Sequence, residues 1–415
     1  MNSPPAVVKQ PGRLAVTFTA LGYPKYRTWF RGQIFTFFGA WMQSTALGFL
    51  LFELTHSAAW LGWFAFANGL PVWLFMLLGG ALADRHPKRL IMLVTNSLLM
   101  GLAAGLTVLS FRGLVEPWHI LVLGFLLGTA NAFDAPARQA FVSELVPRED
   151  LGNAIALNGA MFNTATAFGP ALGGLIYAGL GPAWCFAVNA LAYIGILASL
   201  KVLRVDENRG AERRGVFESL KLGFGLIRRS RDMLSVLLIM GSAAFFGLSL
   251  VGLFPAWSVL ILAGDARTNG FLQSFRGLGA LLGALAIASL GRYRRRARLV
   301  TAAAFVNPLF LALFALAAAQ PAAFSAIFAV GLVQIVIFNL CNSLTQSLAP
   351  DDLRGTVMGI YTMIFMGSYP LGSLAAGVVS DSIGLVAAFL ASAAACLLAA
   401  AVLRLANRGF SALEA

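Results

Sequence analysis

Between two long apolar runs stands Gly79-Gly80-Ala81-Leu82-Ala83-Asp84-Arg85-His86-Pro87-Lys88-Arg89, a short and strongly cationic turn. Lys and Arg side chains near the ends of membrane spans stay on the cytoplasmic side, because carrying them across the bilayer is costly and opposes the membrane potential. The turn therefore predicts a cytoplasmic loop between two membrane helices, and it fixes the orientation expected for the rest of the chain.

The composition indicates an integral membrane protein. Of 415 residues, 59% are hydrophobic and only 11% are charged, which is more apolar surface than a soluble domain of this length buries. Apolar runs of about 20 residues match a hydrocarbon core about 30 Å thick. The formal charge of +13 is scattered over short loops, so it indicates membrane orientation rather than a nucleic-acid partner.

Catalytic and metal-binding chemistry is not expected. The three cysteines fall inside apolar runs without ligand spacing, and the three histidines are spread over different loops. The sequence has no phosphate-binding loop of the Walker type, so ATP does not drive this chain directly. We therefore expect no enzyme, no cofactor and no metal site.

Twelve apolar runs predict twelve membrane helices, with a break near Pro255 in the seventh. Residues 1–26 lack the apolar stretch of a signal peptide, so the first span is expected to stay in the mature protein. The predicted spans are 29–54, 58–83, 90–111, 118–142, 150–179, 182–203, 232–263, 268–290, 297–318, 321–347, 355–380 and 384–405.

The charge of the loops predicts that both termini are cytoplasmic. An even number of spans returns the chain to the side on which it began, and this topology keeps most Lys and Arg residues on that side. The expected organisation is a cytoplasmic segment 1–28, a six-helix bundle 29–203, a linker 204–231, a second six-helix bundle 232–405 and a cytoplasmic tail 406–415. The expected location is the inner membrane of a bacterium.

The linker contains apolar residues at helical spacing with basic residues between them. This pattern predicts an amphipathic helix on the cytoplasmic leaflet, and a solvated linker helix is the alternative. The apolar positions are Val216, Phe217, Leu220, Phe224 and Ile227.

An internal repeat relates the two halves. Gly128, Asn131 and Pro147 recur 203 residues later as Gly331, Gln334 and Pro350. Duplicated six-helix halves around a midplane site are typical of secondary transporters, so the repeat predicts transport by alternating access.

The cationic turn, Gly80-x-x-x-Asp84-Arg85-x-x-Lys88-Arg89, resembles the loop signature of the major facilitator superfamily. Three further motifs are similar to its drug:proton antiporter branch, which includes macrolide pumps and the enterobactin exporter. They are Glu53-Leu-Thr-x-Ser57, Asn131-Ala-Phe-Asp134-Ala-Pro136-Ala-Arg138-Gln139-Ala-Phe141-Val-x-Glu144-Leu-Val and Gly169-Pro170-x-x-Gly173-Gly174. The resemblance implies an all-α membrane protein with twelve transmembrane helices in two pseudo-symmetric six-helix bundles.

The resemblance also implies a gating loop formed by Gly80, Asp84, Arg85, Lys88 and Arg89, in which Asp84 helps to hold the inward-closed state. A carboxylate at the end of one half can meet a helix N-terminus or an arginine of the other half in one state only. A static cap of the turn is the alternative. The equivalent turn of the second half, residues 291–296, has basic residues but no acid.

Asp134 and Arg138 are the first candidates for proton coupling. They lie one helical turn apart inside the fourth span, where charges are tolerated only when they are paired or line a polar cavity. A self-neutralising salt bridge is the alternative, although the repeat-related residues are Ile337 and Cys341. Glu53 is the second candidate, with capping of the next helix as its alternative.

Polar residues of the spans that line the central cavity in this superfamily predict substrate contacts. These candidates are Gln43, Asn131, Gln334, Asn339 and Asn342, and interhelical hydrogen bonds are their alternative role. Arg276 either attracts an anionic substrate or reaches the external interface. A further set, Gly159, Gly169, Pro170, Gly173 and Gly174, permits close helix packing and resembles a glycine-proline run linked to antiport.

The sequence therefore predicts a proton-coupled exporter of a bulky organic compound, drug-like or a siderophore, that acts as a monomer among membrane lipids. A lysophospholipid flippase and a membrane scaffold or receptor without transport activity are the alternatives.

Overall fold

The computed structural model describes residues 18–203, 216–289, 295–351 and 353–410, and within these ranges it is helical without a β-strand. The predictions for the start of the N-terminal segment, for linker residues 204–215, for most of the turn 291–296 and for the last five residues lie outside the described residues. The long helices are α1 (Pro24–Thr55), α2 (Ala58–Arg85), α3 (Lys88–Phe111), α4 (Pro117–Val142), α5 (Leu151–Leu180), α6 (Pro182–Val202), α7 (Arg231–Leu260), α8 (Ala266–Ser289), α9 (Arg296–Ala315), α10 (Gln320–Leu348), α11 (Arg354–Ile383) and α12 (Leu385–Ala406).

Eleven of these helices are long and apolar enough to cross a membrane among the described residues. The other, α5, is as long as its neighbours but carries more Asn and Thr side chains. Several helices begin at a proline in the first turn, where the missing N–H is not needed and the fixed φ suits a helix. The predicted twelve-helix membrane fold is confirmed.

The packing of the helices follows a pseudo-two-fold relation between the halves. In the first half α2 packs on α4, and α3 packs on α4 and α6; in the second half α8 packs on α10, and α9 packs on α10 and α12. The halves meet where α2 packs on α11 and α5 packs on α8. The predicted repeat is visible in one contact: a Cβ on Gly128 would lie 2.0 Å from the Asn68 carbonyl oxygen, and one on Gly331 would lie 2.1 Å from that of Arg276.

We call the two faces of the molecule the linker end, where α1 begins and α6 and α12 end, and the distal end, where α1 ends and α2 begins. At the distal end one hydrophobic core joins both halves, with Phe186 and Leu51 from the first and Trp257 and Phe389 from the second. Toward the linker end each half has a separate core. The hydrophobic cores of the two halves are therefore joined at the distal end and separate toward the linker end.

The helix α7 is irregular in its middle. A π-helical segment, Ala243–Gly247, is followed by a 3₁₀ segment, Leu248–Leu253, before α-helix resumes at Phe254–Leu260. The predicted break near Pro255 thus lies upstream of the proline. Pro255 stands in the first turn of the resumed helix, a position where proline is tolerated because that turn needs no N–H donors.

A short helix, Val216–Arg229, which we call the linker helix, precedes α7. Its Gly223 faces Thr356 and Ile360 of α11, and its Ile227 is buried. The linker helix is therefore docked on the second half at the linker end.

Candidate functional site

A cavity of about 730 Å³ lies between the two halves at mid-depth. Both halves contribute to it, through α1 to α6 on one side and α7, α8, α10 and α11 on the other. Its wall is mainly apolar and includes the aromatic residues Trp41, Phe64, Phe162, Phe338 and Tyr369. A volume of this size with a mainly apolar wall and a few polar groups suits a bulky organic compound.

Four predicted substrate contacts, Gln43, Asn131, Gln334 and Arg276, line this cavity. Asn68 and Gln273 also line it, and our sequence reasoning missed both. Asn68 corresponds to Arg276 in the packing of the helices, but the 203-residue offset of the sequence repeat relates Arg276 to Trp73, so the repeat alone does not identify it.

Asn339 and Asn342 are not among the lining residues, since they follow Phe338 toward the linker end of α10. Asn339 is exposed, and Asn342 accepts a hydrogen bond from Gln346 at 2.6 Å. In this conformation neither contacts the cavity.

Among the described residues that line the cavity, Arg276 is the single charged one. Its Nε atom is buried and has no hydrogen-bond partner. The ion pairs of the described residues do not include it. Arg276 thus lies inside the molecule rather than at the external interface.

Asp134 and Arg138 form the predicted pair, but Asp134 lies beside the cavity rather than in its wall. Arg138 Nε donates to Asp134 Oδ2 at 3.2 Å, while Thr95 and Asn96 of α3 donate to Oδ1 at 2.9 and 2.8 Å. The guanidinium of Arg138 also stacks over the Phe37 ring, 4.8 Å from its centroid. Asp134 is only 6% exposed, so its charge is compensated by three donors instead of water.

Glu53 lies at the distal end, away from the cavity. It accepts a hydrogen bond from the hydroxyl of Tyr177, and the Tyr177 ring packs edge-to-face on Phe49. These contacts join α1 to α5 within the first half. They give Glu53 a structural role that the capping alternative did not include.

Lys88 and Arg89 of the predicted gating loop contact their own half. Lys88 Nζ pairs with Glu144 Oε1 at 2.6 Å, and both side chains are 11% exposed. Arg89 donates to the carbonyl oxygens of Leu200 and Lys201 at 2.6 and 3.0 Å, which satisfies the end of α6. Arg85 is exposed and Asp84 is half-buried.

The close contact near this loop belongs to Gly79 and not to Gly80. A Cβ on Gly79 would lie 2.2 Å from the Ala132 carbonyl oxygen of α4, whereas one on Gly80 would meet nothing within 4 Å. The packing of α2 on α4 therefore depends on the first glycine of the pair.

Most residues of the glycine-proline run mediate helix packing. A Cβ on Gly174 would lie 2.4 Å from the Ala266 carbonyl oxygen of α8, in the other half. Gly169 and Gly173 face Trp41 and Met42 of α1 at 2.7 and 2.9 Å. The Pro170 carbonyl oxygen is 2.4 Å from the Cβ position of Gly270. Gly159 has open space beside it in this conformation.

The distal end has one contact between the halves that our sequence reasoning missed. The carboxylate of Asp381, near the end of α11, accepts hydrogen bonds from Ser57 Oγ at 2.5 Å and from the backbone N–H groups of Ala58 and Ala59 at 2.8 and 3.2 Å. It therefore caps the N-terminus of α2, which belongs to the other half. We call this contact the Asp381 cap.

Comparison with known proteins places the chain among transporters. A family model described as "Transmembrane secretion effector" matches residues 15–412. The chain is 31% identical over 341 residues to the multidrug efflux pump Tap of Mycolicibacterium fortuitum, which covers 79% of this chain and 82% of Tap. It is 25% identical to the staphyloferrin A transporter of Staphylococcus aureus, over 87% of this chain and 90% of the relative.

A solved structure shares the fold. The bacterial homologue of the human lysosomal transporter Spinster superimposes with a TM-score of 0.72 at 14% identity, and the match covers 94% of this chain and 99% of that one.

Proposed function

Because this chain belongs to the transmembrane secretion effector family of the major facilitator superfamily, we propose that it is a proton-coupled exporter of a bulky organic compound, drug-like or a siderophore. The chain is a multi-pass membrane protein and a secondary transporter. The outward direction, the proton coupling and a monomeric working state among membrane lipids are the further parts of the proposal.

The observation that carries this proposal is a central cavity that both halves line while their distal ends are joined. A site shared by two separable halves can be exposed to one side of the membrane at a time, as alternating access requires. The efflux activity named for Tap and the siderophore transport named for the staphyloferrin A transporter support the substrate classes.

The orientation we propose puts the linker end in the cytoplasm of a bacterium, with both termini, 1–28 and 406–415, and the linker 204–231 on that side of the inner membrane. Cationic residues at the linker end support it through the positive-inside rule. They include Lys88, Arg89, Lys201, Arg228 and Arg229. In this orientation the cavity takes its substrate from the cytoplasm.

Asp134 is our candidate for the proton carrier, and Arg138 is its partner. The carboxylate lies one helical turn from Asn131, which lines the cavity, and it accepts hydrogen bonds from Arg138, Thr95 and Asn96. A movement that parts the guanidinium from the carboxylate would leave a poorly solvated charge, which favours protonation. Glu53, bonded to Tyr177 away from the cavity, is the weaker candidate.

Asp84 is our candidate for the gate at the linker end. It stands at the end of α2, the helix that packs on α11 across the interface between the halves. We propose that it stabilises the state in which the linker end is closed, together with Arg85, Lys88 and Arg89.

The test is transport by purified protein in liposomes with a pH-sensitive dye inside. We expect drug-like compounds or siderophores to move protons in the opposite direction, and we expect Asp134→Asn to abolish this coupling. Asp265→Asn, which changes an exposed acid at the distal end, is the matched control. Proton movement by Asp134→Asn at the wild-type rate contradicts the role of Asp134. Lipid flipping without a response to the pH gradient, or no transport at all, contradicts the proposed function.

A further inference from the structure

Arg276 is a half-buried cation, and the described residues of the cavity wall include no carboxylate to pair with it. No carboxylate of the described residues pairs with it, and its Nε atom has no hydrogen-bond partner. A guanidinium inside a membrane protein is expensive unless it is paired or lines a polar cavity. An anionic group on a compound bound in the cavity would pair with the guanidinium and lower this free-energy cost.

The pseudo-symmetry of the fold shows that this position does not require a charge. Gly331 packs on the carbonyl oxygen of Arg276 as Gly128 packs on that of Asn68. Both Arg276 and Asn68 line the cavity. Asn68, however, is neutral, and its amide nitrogen donates to the Gly124 carbonyl oxygen at 3.1 Å. Helix packing alone is therefore satisfied by a neutral residue, and the charge of Arg276 needs another explanation.

A second unpartnered group lies in the wall of the same cavity. Gln334 is 2% exposed, lines the cavity, and has no partner for either its amide oxygen or its amide nitrogen. Its amide nitrogen lies near Gly247 of α7, whereas α8 packs on the face of α10 that carries Gly331, Leu332 and Ile335. Gln334 therefore supplies further N–H donors from another part of the wall in the same half.

We propose that Arg276 binds a carboxylate group of the transported compound, with Gln334 as a further donor in the same cavity. Guanidinium and amide N–H donors match the oxygens of a carboxylate, and a charge-assisted hydrogen bond is about twice as strong as a neutral one. The rest of the wall is mainly apolar, and its described polar residues from the first half, among them Gln43, Asn68 and Asn131, are neutral. The substrate class is therefore an amphipathic organic carboxylate, held by its charged group against the second half.

This inference rests on the proposed function, because it requires the cavity to be the substrate site. Asp134 does not supply the missing charge in this conformation, since Arg138, Thr95 and Asn96 already surround its carboxylate.

The test uses three fluorescent probes of similar shape: 1-pyrenebutyrate, its neutral methyl ester and 1-pyrenebutylamine. Binding to the protein in lipid nanodiscs is followed by energy transfer from tryptophan, one of which, Trp41, lines the cavity. Partition into empty nanodiscs is subtracted. We expect the carboxylate to bind saturably and at least about tenfold more tightly than the ester or the amine, as expected for a buried charged hydrogen bond.

Three variants assign this preference to Arg276. Arg276→Gln is expected to lose it and Arg276→Lys to keep part of it, because lysine retains the charge without the planar fork. Arg267→Gln changes an exposed arginine on the same helix, outside the described cavity wall, and is expected to keep the full preference. The unfolding temperatures of the variants show whether each is folded, and the lysine variant keeps the test valid if the glutamine variant is unstable.

Several results overturn the inference: equal affinity for the three probes, tighter binding of the ester or the amine, no saturable binding of the carboxylate, or a preference that survives in Arg276→Gln. The proposed function fails separately, in the liposome assay. Binding of the carboxylate through Arg276 without proton movement keeps this inference and removes proton-coupled export. Proton-coupled export of neutral compounds at the same rate in Arg276→Gln keeps the proposed function and removes this inference.

Discussion

Removal of the Asp381 cap is expected to open the distal end. The carboxylate belongs to the second half, and its three donors belong to the start of α2 in the first half. These hydrogen bonds exist only while the distal ends are together. Asp381→Ala therefore raises the free energy of the distally closed state and leaves that of the distally open state almost unchanged.

The size of the effect follows from known capping energies. Replacing an N-capping Asp by Ala costs about 0.5–2 kcal/mol, and the exposure of Asp381 argues against a larger value. A loss of about 1–2 kcal/mol corresponds to about a 5- to 30-fold increase in the ratio of distally open to distally closed molecules.

The assay is a distance measurement by double electron–electron resonance in nanodiscs. Spin labels at Leu114 in the first half and Leu316 in the second report the separation of the distal ends, and both positions are more than half exposed. The three native cysteines are buried, so labelling is directed to the introduced ones. We expect Asp381→Ala to move population from the short to the long distance.

Asp265→Ala is the matched control. Asp265 is also a distal carboxylate, and it accepts from the backbone N–H groups of Arg267 and Thr268 at 2.9 and 3.3 Å, but these belong to its own half. Its removal is expected to lower stability without changing the distance distribution. An unchanged distribution in Asp381→Ala, or an equal change in both variants, refutes the reasoning.

Two further predictions concern packing and charge. Gly174→Ala places a Cβ 2.4 Å from a carbonyl oxygen of α8, so we expect it to lower the unfolding temperature. Gly179→Ala on the same helix meets nothing within 4 Å, so we expect an unchanged or higher unfolding temperature. Equal changes in the two variants contradict this prediction. Lys88→Met leaves the Glu144 carboxylate buried and without its ion-pair partner. Chemical unfolding in detergent should show a free energy of unfolding lower by about 3 kcal/mol. Adding Glu144→Gln to the same variant should restore part of this loss. Arg354→Met breaks an exposed ion pair and should lower the free energy of unfolding by at most about 1 kcal/mol. Similar losses in Lys88→Met and Arg354→Met would contradict the idea that burial makes the first pair more important.

The number and order of the helices could be predicted because apolar runs, prolines and loop charges are local properties of a sequence. The repeat added long-range information, since the contacts of Gly128 and Gly331 are equivalent in the structure. The exact position of the irregular segment in α7 could not be predicted. Pro255 indicated a break, but proline fits the first turn of a helix, and the distortion falls on the residues before it.

The cavity could be predicted in part. Gln43, Asn131, Gln334 and Arg276 line it, but Asn339 lies one residue past the wall. Hydropathy does not distinguish a polar residue that lines the cavity from one at the exposed end of a membrane span, because both positions accept a polar side chain.

Contacts between the halves could not be predicted. Asp381 and Ala58 are 323 residues apart in the sequence, and an acid near the end of a span looks the same whether it faces solvent or another helix. The same holds for Gly79 and Gly80, which differ in environment only after α2 is packed on α4.

The unpaired charge of Arg276 has a consequence for the energetics of transport. If a singly charged carboxylate leaves the cell and one proton enters, each cycle moves the equivalent of two positive charges inward. A membrane potential of 100 mV, negative inside, contributes about 2.3 kcal/mol for each charge, or about 4.6 kcal/mol per cycle. Such a cycle is electrogenic, and it runs on the voltage even where the pH is equal on the two sides of the membrane.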